Sequence, residues 1–401
     1  MSANKLLPFQ LNTIRDLQIS GRTVFLRVDF NVPLSTPNEQ GERHVEDETR
    51  IQEALPTIRL AIEKGAKIII ASHLGRPQGR KNPEFSLEPI ASCLAEMLGK
   101  EVTLANDCVG EGIELMSKSL KNGQILLLEN LRFYPGEEAN DPEFSKRLSH
   151  LAEVYISDAF GAVHRKHAST YGVPTLLLER GIGLLIEKEL AFLDPLLHQP
   201  KRPFYALLGG SKVTDKMKTV ASLIRKVDGL MIGGAMAHAF WAAQGDTVPS
   251  DTKPISANDV EAARLLMKDA KRREIPLLLP SDTVKGFDIG PETLQKFSNF
   301  LQQAGTIFWN GPLGWFENAD YSHGTFEIAK AIAQTSAIKI VGGGDTVSAV
   351  KKSGFAEKYD HLSTGGGALL EYLEGNGLPG IEILRLTHPQ LAKLQNPVLE
   401  E

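Results

Sequence analysis

Basic side chains follow several apolar segments in the first half of the chain, and their types suit the binding of an anion. Arginine is favoured for this task because its planar guanidinium group pairs with two oxygens of a carboxylate or a phosphate at once. One such residue in a loop is usually a solvated or structural side chain, but five at one predicted sheet edge indicate a shared ligand. The five are Arg50, His73, Arg76, Arg132 and Arg165.

Glycine takes the corresponding positions in the second half. The motifs Gly209-Gly210-Ser211-Lys212, Gly342-Gly343-Gly344-Asp345-Thr346 and Thr364-Gly365-Gly366-Gly367 each stand at the end of a predicted strand. Glycine at a strand-to-helix turn lets backbone N–H groups approach a phosphate, and the helix N-terminus adds positive potential. We interpret these glycine clusters, together with Gly233-Gly234, as backbone that faces the phosphates of a nucleotide rather than as tight turns alone.

Two details bear on that phosphate site. Lys212 and Lys216 are four residues apart, a spacing that places like charges on one face of a helix, where they repel unless an anion lies between them. Asp345 follows a glycine triplet, and carboxylate and phosphate oxygens are the ligands that Mg²⁺ prefers. Aspartate is also a frequent helix N-cap, so both roles stay open for Asp345.

Apolar segments alternate with helical patterns along the whole chain, and these elements must position the polar residues. The predicted strands are 23–28, 67–71, 101–104, 124–128 and 153–157 in the first half, and 204–208, 229–232, 276–279, 306–309 and 337–341 in the second. Such alternation predicts parallel sheets covered by helices on both faces, with ligands beyond the carboxyl ends of the strands. The fold class is therefore α/β, with two doubly wound parallel-sheet lobes.

The two halves differ in composition, which indicates different tasks. Residues 1–200 contain 14 Gly and 12 Arg, whereas residues 201–401 contain 22 Gly and 6 Arg. The boundary is predicted near residues 183–200, where leucines at helical spacing end before Pro200. This helix is either a connector between the halves or the last helix of the first half, and the pattern alone does not separate the two.

Whole-chain composition excludes several functional classes. The 401 residues are 42% hydrophobic and 23% charged with a net charge of −5, a poor match for binding nucleic acid or a membrane surface. Two cysteines, Cys93 and Cys108, form neither a disulfide framework nor a thiolate zinc site. The chain shows no apolar signal core and no membrane-length segment, so we expect a cytoplasmic protein.

Motifs along almost the whole chain resemble those of the phosphoglycerate kinase family. The segment 25–33 resembles the family signature, and the resemblance continues in order through 72–77, 129–133, 158–169, 209–216, 310–317, 342–346 and 361–374. It implies two lobes, 1–182 and 200–385, joined by a hinge helix at 183–199, with a tail, 386–401, that returns to the first lobe. Trp315 stands where the family has a smaller apolar residue.

The resemblance also implies a reaction and its residues. It implies reversible transfer of a phosphoryl group between ATP and 3-phosphoglycerate, giving 1,3-bisphosphoglycerate and ADP, with Mg²⁺ as cofactor, in glycolysis and gluconeogenesis. By motif position, phosphoglycerate is bound by Asp29, Asn31, Arg50, His73, Arg76, Arg132 and Arg165. The nucleotide is bound by Lys212, Lys216, Gly286, Glu317, Gly343, Gly344, Asp345 and Thr346, with Glu317 at the ribose and Asp345 at the metal. The catalytic set is Arg50, Lys212, Lys216 and Gly366.

Phosphoryl transfer depends on positioning and on neutralising charge, which agrees with the lack of a general-base constellation in this sequence. We expect hinge closure to join the two sites and exclude water, and we expect a monomer. Two other classes stay open. A nicotinamide-dependent oxidoreductase is indicated only by Gly375, Gly377 and Gly380, which follow a helix and precede a strand-like run at 381–384, the wrong order for that motif. The other is a two-lobed anion-binding protein without catalysis.

Overall fold

The structure is a computed structural model that describes residues 11–249 and 254–395. Its contacts divide the chain into two units. The first unit contains the described residues up to Ala191 and those from Gly377 onward, and the second contains those between Phe192 and Asn376. No helix in these ranges combines the length and the apolar character needed to cross a membrane.

Each unit is built on its own sheet. The strands of the first unit are β1 (Thr23–Val28), β2 (Lys67–Ala71), β3 (Thr103–Leu104), β4 (Ile125–Leu127), β5 (Val154–Asp158) and β6 (Glu179–Ile182). Its helices before the boundary are α1 (Thr49–Glu63), α2 (Glu88–Leu98), α3 (Glu111–Ser119), α4 (Pro135–Glu138), α5 (Pro142–Ser149) and α6 (Val173–Leu176). The boundary falls within α7 (Leu184–His198).

The second unit has a six-stranded sheet and a small hairpin. Its strands are β7 (Phe204–Leu208), β8 (Gly229–Ile232), β9 (Leu277–Leu278), β10 (Thr283–Val284), β11 (Asp288–Ile289), β12 (Thr306–Asn310), β13 (Ile338–Gly342) and β14 (His361–Ser363). Its helices are α8 (Met217–Ile224), α9 (Ala237–Gln244), α10 (Ala257–Arg272), α11 (Pro291–Leu301), α12 (His323–Ala333), α13 (Gly344–Lys352) and α14 (Gly367–Leu373). The chain then returns to the first unit with α15 (Pro379–Arg385) and α16 (His388–Gln395).

Single helical turns occur between these elements. The 3₁₀ turns are Pro83–Phe85, Leu131–Phe133, Phe160–Ala162, Thr214–Lys216, Ala319–Tyr321 and Ala356–Lys358, and Ala168–Gly172 is a π-helical turn. Two of them lie in the loops that follow β4 and β7, where they contain the predicted site residues Arg132 and Lys216.

Both large sheets are parallel, as the alternating pattern predicts. The first has the order β3-β4-β2-β1-β5-β6, and the second has the order β14-β13-β12-β7-β8-β9. In the second sheet the chain proceeds from β7 to one side and from β12 to the other, which is the strand order of doubly wound dinucleotide-binding folds. The direction reverses between β1 and β5 in the first sheet and between β7 and β12 in the second, so ligand sites are expected at these two places.

The burial of the central strands explains why they form so clearly from the sequence. Every residue of β5, β7 and β12 is buried, which matches the continuous apolar character of strands covered on both faces. Helix α1 buries Ile51, Ala54, Ile58 and Ala61, three to four residues apart, in one hydrophobic core with strands of the first sheet.

Three expectations need correction. Strands β6 and β14 are not among the predicted strands, and the strand-like run at 381–384 lies in helix α15. This helix belongs to the first unit, where Gly380 N–H bonds to Val163 O at 2.8 Å, so the second lobe ends before the predicted residue 385. In the predicted tail, 386–401, the carbonyl of Leu386 accepts a hydrogen bond from Arg180, and residues 396–401 lie outside the described ranges.

Candidate functional site

An ion pair stands at the carboxyl end of β1. Asp29, the first residue after the strand, accepts a hydrogen bond from Arg50 Nη1 at 2.8 Å, and α1 brings Arg50 to this place with its second residue. His73, which follows β2, lies 4.0 Å from the same carboxylate. Asn31 accepts a hydrogen bond from Gly75 N–H at 2.8 Å, which ties the loop after β1 to the loop after β2.

Burial and charge set the protonation of this pair. Burial by itself raises the pKa of Asp29, but its interaction with His73 and the positive charges of Arg50 and Arg27 bring the pKa below its usual value. Burial lowers the pKa of His73 well below its usual value, and the arginines nearby add to this shift, so the ring is neutral at physiological pH. Because a neutral ring carries no charge, Arg50 is the main support of the Asp29 carboxylate.

Beneath this pair lies a buried polar chain that the sequence analysis does not include among the site residues. Arg27 donates to Ser169 Oγ at 2.7 Å, and that hydroxyl donates to Glu137 Oε1 at 2.6 Å. Arg27 Nη2 also lies 3.3 Å from His73 Nδ1. A guanidinium group can only donate, so Nδ1 accepts and the single proton of the neutral His73 ring is on Nε2. Arg27 therefore fixes the donor that His73 can offer to a ligand.

The remaining predicted anion ligands surround the same loops. Arg132, almost fully buried, donates to Gly75 O at 2.8 Å and pairs with Glu138 at 3.2 Å. Arg76 is exposed and directly follows Gly75 in the chain. Arg165 is exposed, and its Nε donates to His164 Nε2 at 3.0 Å. The pKa of Arg132 is lowered chiefly by burial, and the charge of Arg165 adds to this shift.

Histidines line the same patch in neutral form. Burial, with the Arg165 charge, lowers the pKa of His164 to about 4, although the charge of Asp29 opposes the shift. Burial and the charges of Arg27 and its neighbours lower the pKa of His167 to about 3. The positive charge of this patch is therefore carried by arginine, and a bound anion would meet guanidinium groups and neutral N–H donors.

In the second unit, Lys216 occupies the point where the strand direction reverses. Its ammonium group donates to Gly209 O at 2.7 Å and to Asn310 O at 3.2 Å, the carbonyls that end β7 and β12. Burial lowers the pKa of Lys216 to about 8, and the negative charges of Asp345 and Asp215 oppose the shift. A partly desolvated lysine between two strand ends is suited to contact a phosphate.

The expectation that Lys212 and Lys216 share one helical face is wrong. Helix α8 begins at Met217, and Lys212 lies in the preceding loop, where it is exposed. Lys216 turns back to the strand-end carbonyls because they satisfy its donors. Lys212 therefore lies in a loop and Lys216 in a 3₁₀ turn, and the two are not a pair on a helix.

The loops after β12 and β13 are joined directly. Gly311 N–H donates to Thr346 Oγ1 at 2.6 Å, and Asn310 Nδ2 donates to Gly342 O at 2.8 Å. Gly343 caps α13 in a left-handed conformation, with φ of +91°, which glycine adopts without strain. Asp345 is therefore not the N-cap, and its exposed carboxylate lies in the first turn of α13.

These residues can accommodate Mg²⁺ only together with a nucleotide. Among the described residues, no group of three or more His, Cys, Asp and Glu could hold a metal ion. Mg²⁺ keeps several waters and is usually held by one or two carboxylates plus substrate phosphates. The exposed carboxylate of Asp345, near enough to Lys216 to affect its pKa, is a donor of that kind.

The glycine clusters serve two purposes, which corrects the interpretation that they all face phosphate. A Cβ on Gly209 would lie 2.1 Å from Pro312 O, and one on Gly342 would lie 1.9 Å from the Leu369 side chain. These glycines are needed for packing. In contrast, a Cβ on Gly344 or Gly366 would meet no atom within 4 Å, so these two are open to a ligand.

The other predicted nucleotide residues lie in neighbouring loops of the same unit. Gly286, with φ of +75°, is in the turn of the β10–β11 hairpin, and Glu317 is exposed in the loop after β12. Trp315 N–H donates to Phe287 O at 2.9 Å, which connects the two segments. Gly375 and Gly377 fall between helices α14 and α15, and Gly380 lies in the first turn of α15, so no dinucleotide fingerprint is formed there.

A doubly wound sheet with a half-buried lysine at its reversal point and open glycines after β13 and β14, on one chain with an arginine patch at a second parallel sheet, indicates an α/β phosphotransferase. A protein-family model described as phosphoglycerate kinase matches residues 14–287 and 284–376, two segments that meet at the β10–β11 turn. The chain belongs to the phosphoglycerate kinase family.

Individual relatives support this membership over nearly the full length. The chain is 46% identical over 399 residues to a phosphoglycerate kinase of Anaeromyxobacter sp., covering 93% of this chain and 99% of the relative. It is 44% identical to a phosphoglycerate kinase of Bdellovibrio bacteriovorus, covering 94% of this chain and 97% of the relative. Among solved structures, the phosphoglycerate kinase of Coxiella burnetii is similar with a TM-score of 0.82 and 36% identity, covering 93% of this chain and 98% of that one. The phosphoglycerate kinase of Pyrococcus horikoshii is similar with a TM-score of 0.80 and 30% identity, covering 94% of this chain and 99% of that one.

Proposed function

We propose that this protein transfers a phosphoryl group reversibly between ATP and the carboxylate of 3-phosphoglycerate, giving 1,3-bisphosphoglycerate and ADP. The observation that carries the proposal is the occurrence, on one chain of this family, of two groups of residues. One is an arginine patch near the carboxyl ends of β1 and β5, and the other is a lysine at the ends of β7 and β12 with open glycines after β13 and β14. The patch supplies an anion site of suitable charge, and the second edge supplies a phosphate site.

The acceptor is held in the first unit. Arg132, Arg165 and Arg76 offer the guanidinium forks that a phosphate or carboxylate needs. His73 adds an Nε2–H donor and Asn31 a side-chain amide, while Asp29 orients Arg50 through their ion pair. Arg50, about one-third exposed, is placed to contact the transferring group as well as Asp29.

The nucleotide is held in the second unit. Lys216 and Lys212 contact its phosphates, with the backbone N–H groups of Gly343 and Gly344 and the hydroxyl of Thr346 beside them. Glu317 binds the ribose, and Gly286 lies at the nucleoside. Asp345 would hold Mg²⁺, which neutralises charge on the nucleotide phosphates when bound.

The chemistry needs no general base. One oxygen of the 3-phosphoglycerate carboxylate, already ionised at neutral pH, forms a bond to the γ-phosphorus, and the bond from that phosphorus to the β–γ bridging oxygen breaks. The electron pair stays on ADP and no proton is transferred. The protein's contribution is positioning and charge stabilisation, which we assign to Arg50, Lys212 and Lys216, with the N–H groups around Gly366.

Since the two ligand sites belong to different units, direct transfer requires them to meet in the catalytic complex. Helix α7, which crosses the unit boundary, is the segment on which such a hinge would depend. Meeting of the sites would also exclude water, which otherwise competes as acceptor. We propose further that the enzyme acts as a cytoplasmic monomer in glycolysis and gluconeogenesis.

The test is a coupled assay for ATP-dependent phosphorylation of 3-phosphoglycerate by the purified full chain. Arg50→Ala should lower kcat by about 10²–10³ while the protein stays folded, because one charge-stabilising group is lost. Arg59→Ala, an exposed arginine on the same helix, serves as the control and should retain turnover. No turnover in the wild type would refute the function, and normal turnover in Arg50→Ala would remove Arg50 from the mechanism.

A further inference from the structure

Trp315 is a large aromatic side chain that stays about half exposed beside the proposed nucleotide site. Its exposed fraction is 52%, and it lies in the loop after β12, two residues before Glu317. Val284, on the adjoining hairpin, is 38% exposed. Exposed apolar surface next to a polar site is a common mark of ligand contact. The proposed function gives no role to this ring.

Three aromatic rings from separate segments meet here, and we call Phe287, Trp315 and Tyr321 the ring cluster. The Trp315 and Tyr321 rings are nearly parallel, at 14°, with centroids 6.2 Å apart. Phe287 lies 6.4 Å from Trp315 and 5.0 Å from Tyr321 in tilted contacts. Such contacts hold each ring in a defined orientation while leaving part of the Trp315 surface open.

The backbone fixes this arrangement before any ligand arrives. Trp315 N–H donates to Phe287 O at 2.9 Å, and Trp315 O accepts from Asn318 N–H at 3.0 Å. The preceding residue, Gly314, donates to Thr325 Oγ1 at 3.0 Å. A ring held in this way loses little conformational freedom when a planar ligand binds to it.

The ring cluster is within reach of the phosphate site. Lys216 donates to the carbonyl of Asn310, and Trp315 is the fifth residue after Asn310. Five residues span at most about 18 Å even when fully extended. A nucleotide with its phosphates at Lys216 and its ribose at Glu317 would therefore place its base at or near the ring cluster.

We propose that Trp315 stacks on the purine base of the bound nucleotide, so that this chain holds the base by its π face. The inference rests on the proposed function and specifies how that site recognises its nucleotide. Stacking on an aromatic side chain tolerates any base, because every base has a π face. The ring cluster should thus contribute affinity for adenine and guanine nucleotides alike.

The experiment is a titration of the full chain with ADP and with GDP, each with Mg²⁺, followed by tryptophan fluorescence and by calorimetry. ADP should quench the wild-type fluorescence. Trp315→Phe should remove most of that change but keep the calorimetric affinity, because a ring remains. Trp315→Val should lower the affinity for both ADP and GDP by about tenfold. Trp241→Phe is the matched control and should retain the quenching, since Trp241 stacks on His238 instead.

The outcomes separate this inference from the proposed function. Unchanged ADP affinity in Trp315→Val, or quenching that persists in Trp315→Phe, would overturn it. A loss confined to ADP would also contradict it, since stacking does not discriminate between the two bases. The assay with ATP and 3-phosphoglycerate is run in parallel: absent turnover in the wild type rejects the kinase function, whatever the titration shows. Turnover together with an unaffected Trp315→Val titration rejects the stacking alone.

Discussion

Arg27 is a charged residue inside a buried strand, and it organises the first-unit site from below. It contacts Ser169, His73 and, at 3.9 Å, the buried carboxylate of Glu137. Burial raises the pKa of Glu137, although the Arg27 charge and the Ser169 hydrogen bonds oppose the rise. Neither charged group reaches solvent, so each depends on the other for its compensation.

Replacing Arg27 with methionine should therefore destabilise the protein strongly. The variant leaves Glu137 buried without its charged partner, and we expect the free energy of unfolding to fall by about 3–5 kcal/mol. Urea unfolding at neutral pH measures this loss. The double variant Arg27→Met/Glu137→Gln should recover part of it, since the uncompensated charge is gone. Equal losses in the single and double variants would show that the Glu137 charge is not the cause.

Lys216 should make nucleotide affinity depend on pH. Its pKa, lowered to about 8 by burial, means that the ammonium charge is present at neutral pH and is lost as the pH rises through that value. Affinity for ADP should accordingly weaken above about pH 8. Calorimetric titrations across this range measure the effect. Lys216→Met should abolish the decrease in ADP affinity near pH 8. Lys212→Ala should weaken ADP binding at every pH but retain this decrease. An ADP affinity of the wild type that does not change with pH would contradict the assignment.

The site residues in loops near strand ends could be predicted from the sequence, whereas the charged residue inside a strand could not. Arg50, His73 and Arg132 follow predicted strands, so the parallel-sheet rule brings them to one edge. Arg27 lies within an apolar strand, a position where charge is unusual, and this was its only sequence signal. The spacing predicts Lys216 on a helix, but it lies in the 3₁₀ turn before α8, because the start of a helix depends on tertiary hydrogen bonds that spacing does not reveal.

At the scale of elements, Asp158 links the end of β5 to the start of α7. Its Oδ1 accepts from the N–H groups of Leu185 and Ile186, at 3.0 and 3.3 Å, in the first turn of that helix. A Cβ on Gly183 would come within 2.3 Å of this carboxyl, so glycine is required before the helix. The Asp158 carboxyl group and the first turn of α7 are therefore packed closely against each other in a buried position.

This junction should give the protein a characteristic dependence of stability on pH. Burial raises the pKa of Asp158 to about 7 from the ordinary 3.8, so between these values the folded state binds more protons than the unfolded state. Stability therefore falls as the pH rises through this window, by about 4 kcal/mol in total. Asp158→Asn keeps an acceptor for Leu185 N–H but does not titrate, and it should remove most of the decrease.

Urea midpoints for the wild type and Asp158→Asn between about pH 4 and pH 8 test this expectation. The urea midpoint of Asp158→Asn should rise relative to that of the wild type as the pH increases. Glu187→Gln, in the first turn of the same helix, is the control and should follow the wild-type curve. Parallel curves for wild type and Asp158→Asn would mean that the Asp158 carboxyl does not carry the effect.

Element prediction succeeded where burial dominates and failed where context decides. Strands β1, β2, β7 and β8 have the predicted bounds because each is a short apolar run that alternates along the chain with helical patterns. The edge strands β6 and β14 are short and contain polar residues, so neither stands out. Residues 381–384 form a helix because Pro379 starts it in its first turn, and an apolar run of this length fits either structure.

At the scale of the whole molecule, the net charge of −5 conceals a division of labour between two sheets. Arginine gathers at the carboxyl ends of the first sheet's strands, and a lysine with open glycine backbone lies at the carboxyl ends of the second sheet's strands. Each unit contains its own candidate site with its own supporting hydrogen bonds. The two ligands of the proposed reaction should therefore bind separately, and each should stabilise the protein without the other.

Two exposed side chains, one in each unit, allow this independence to be tested without disturbing the core. Arg165→Ala should abolish most of the thermal stabilisation by 3-phosphoglycerate but preserve that by ADP, and Lys212→Ala should do the reverse. A ligand at a hundred times its dissociation constant stabilises the folded state by about 2.7 kcal/mol, which a melting curve resolves readily. Lys218→Ala, exposed on the neighbouring helix α8, should respond to both ligands as the wild type does. If either site variant lost both responses, the two sites would have to be coupled already in the separate complexes, and the assignment of one ligand to each sheet would fail.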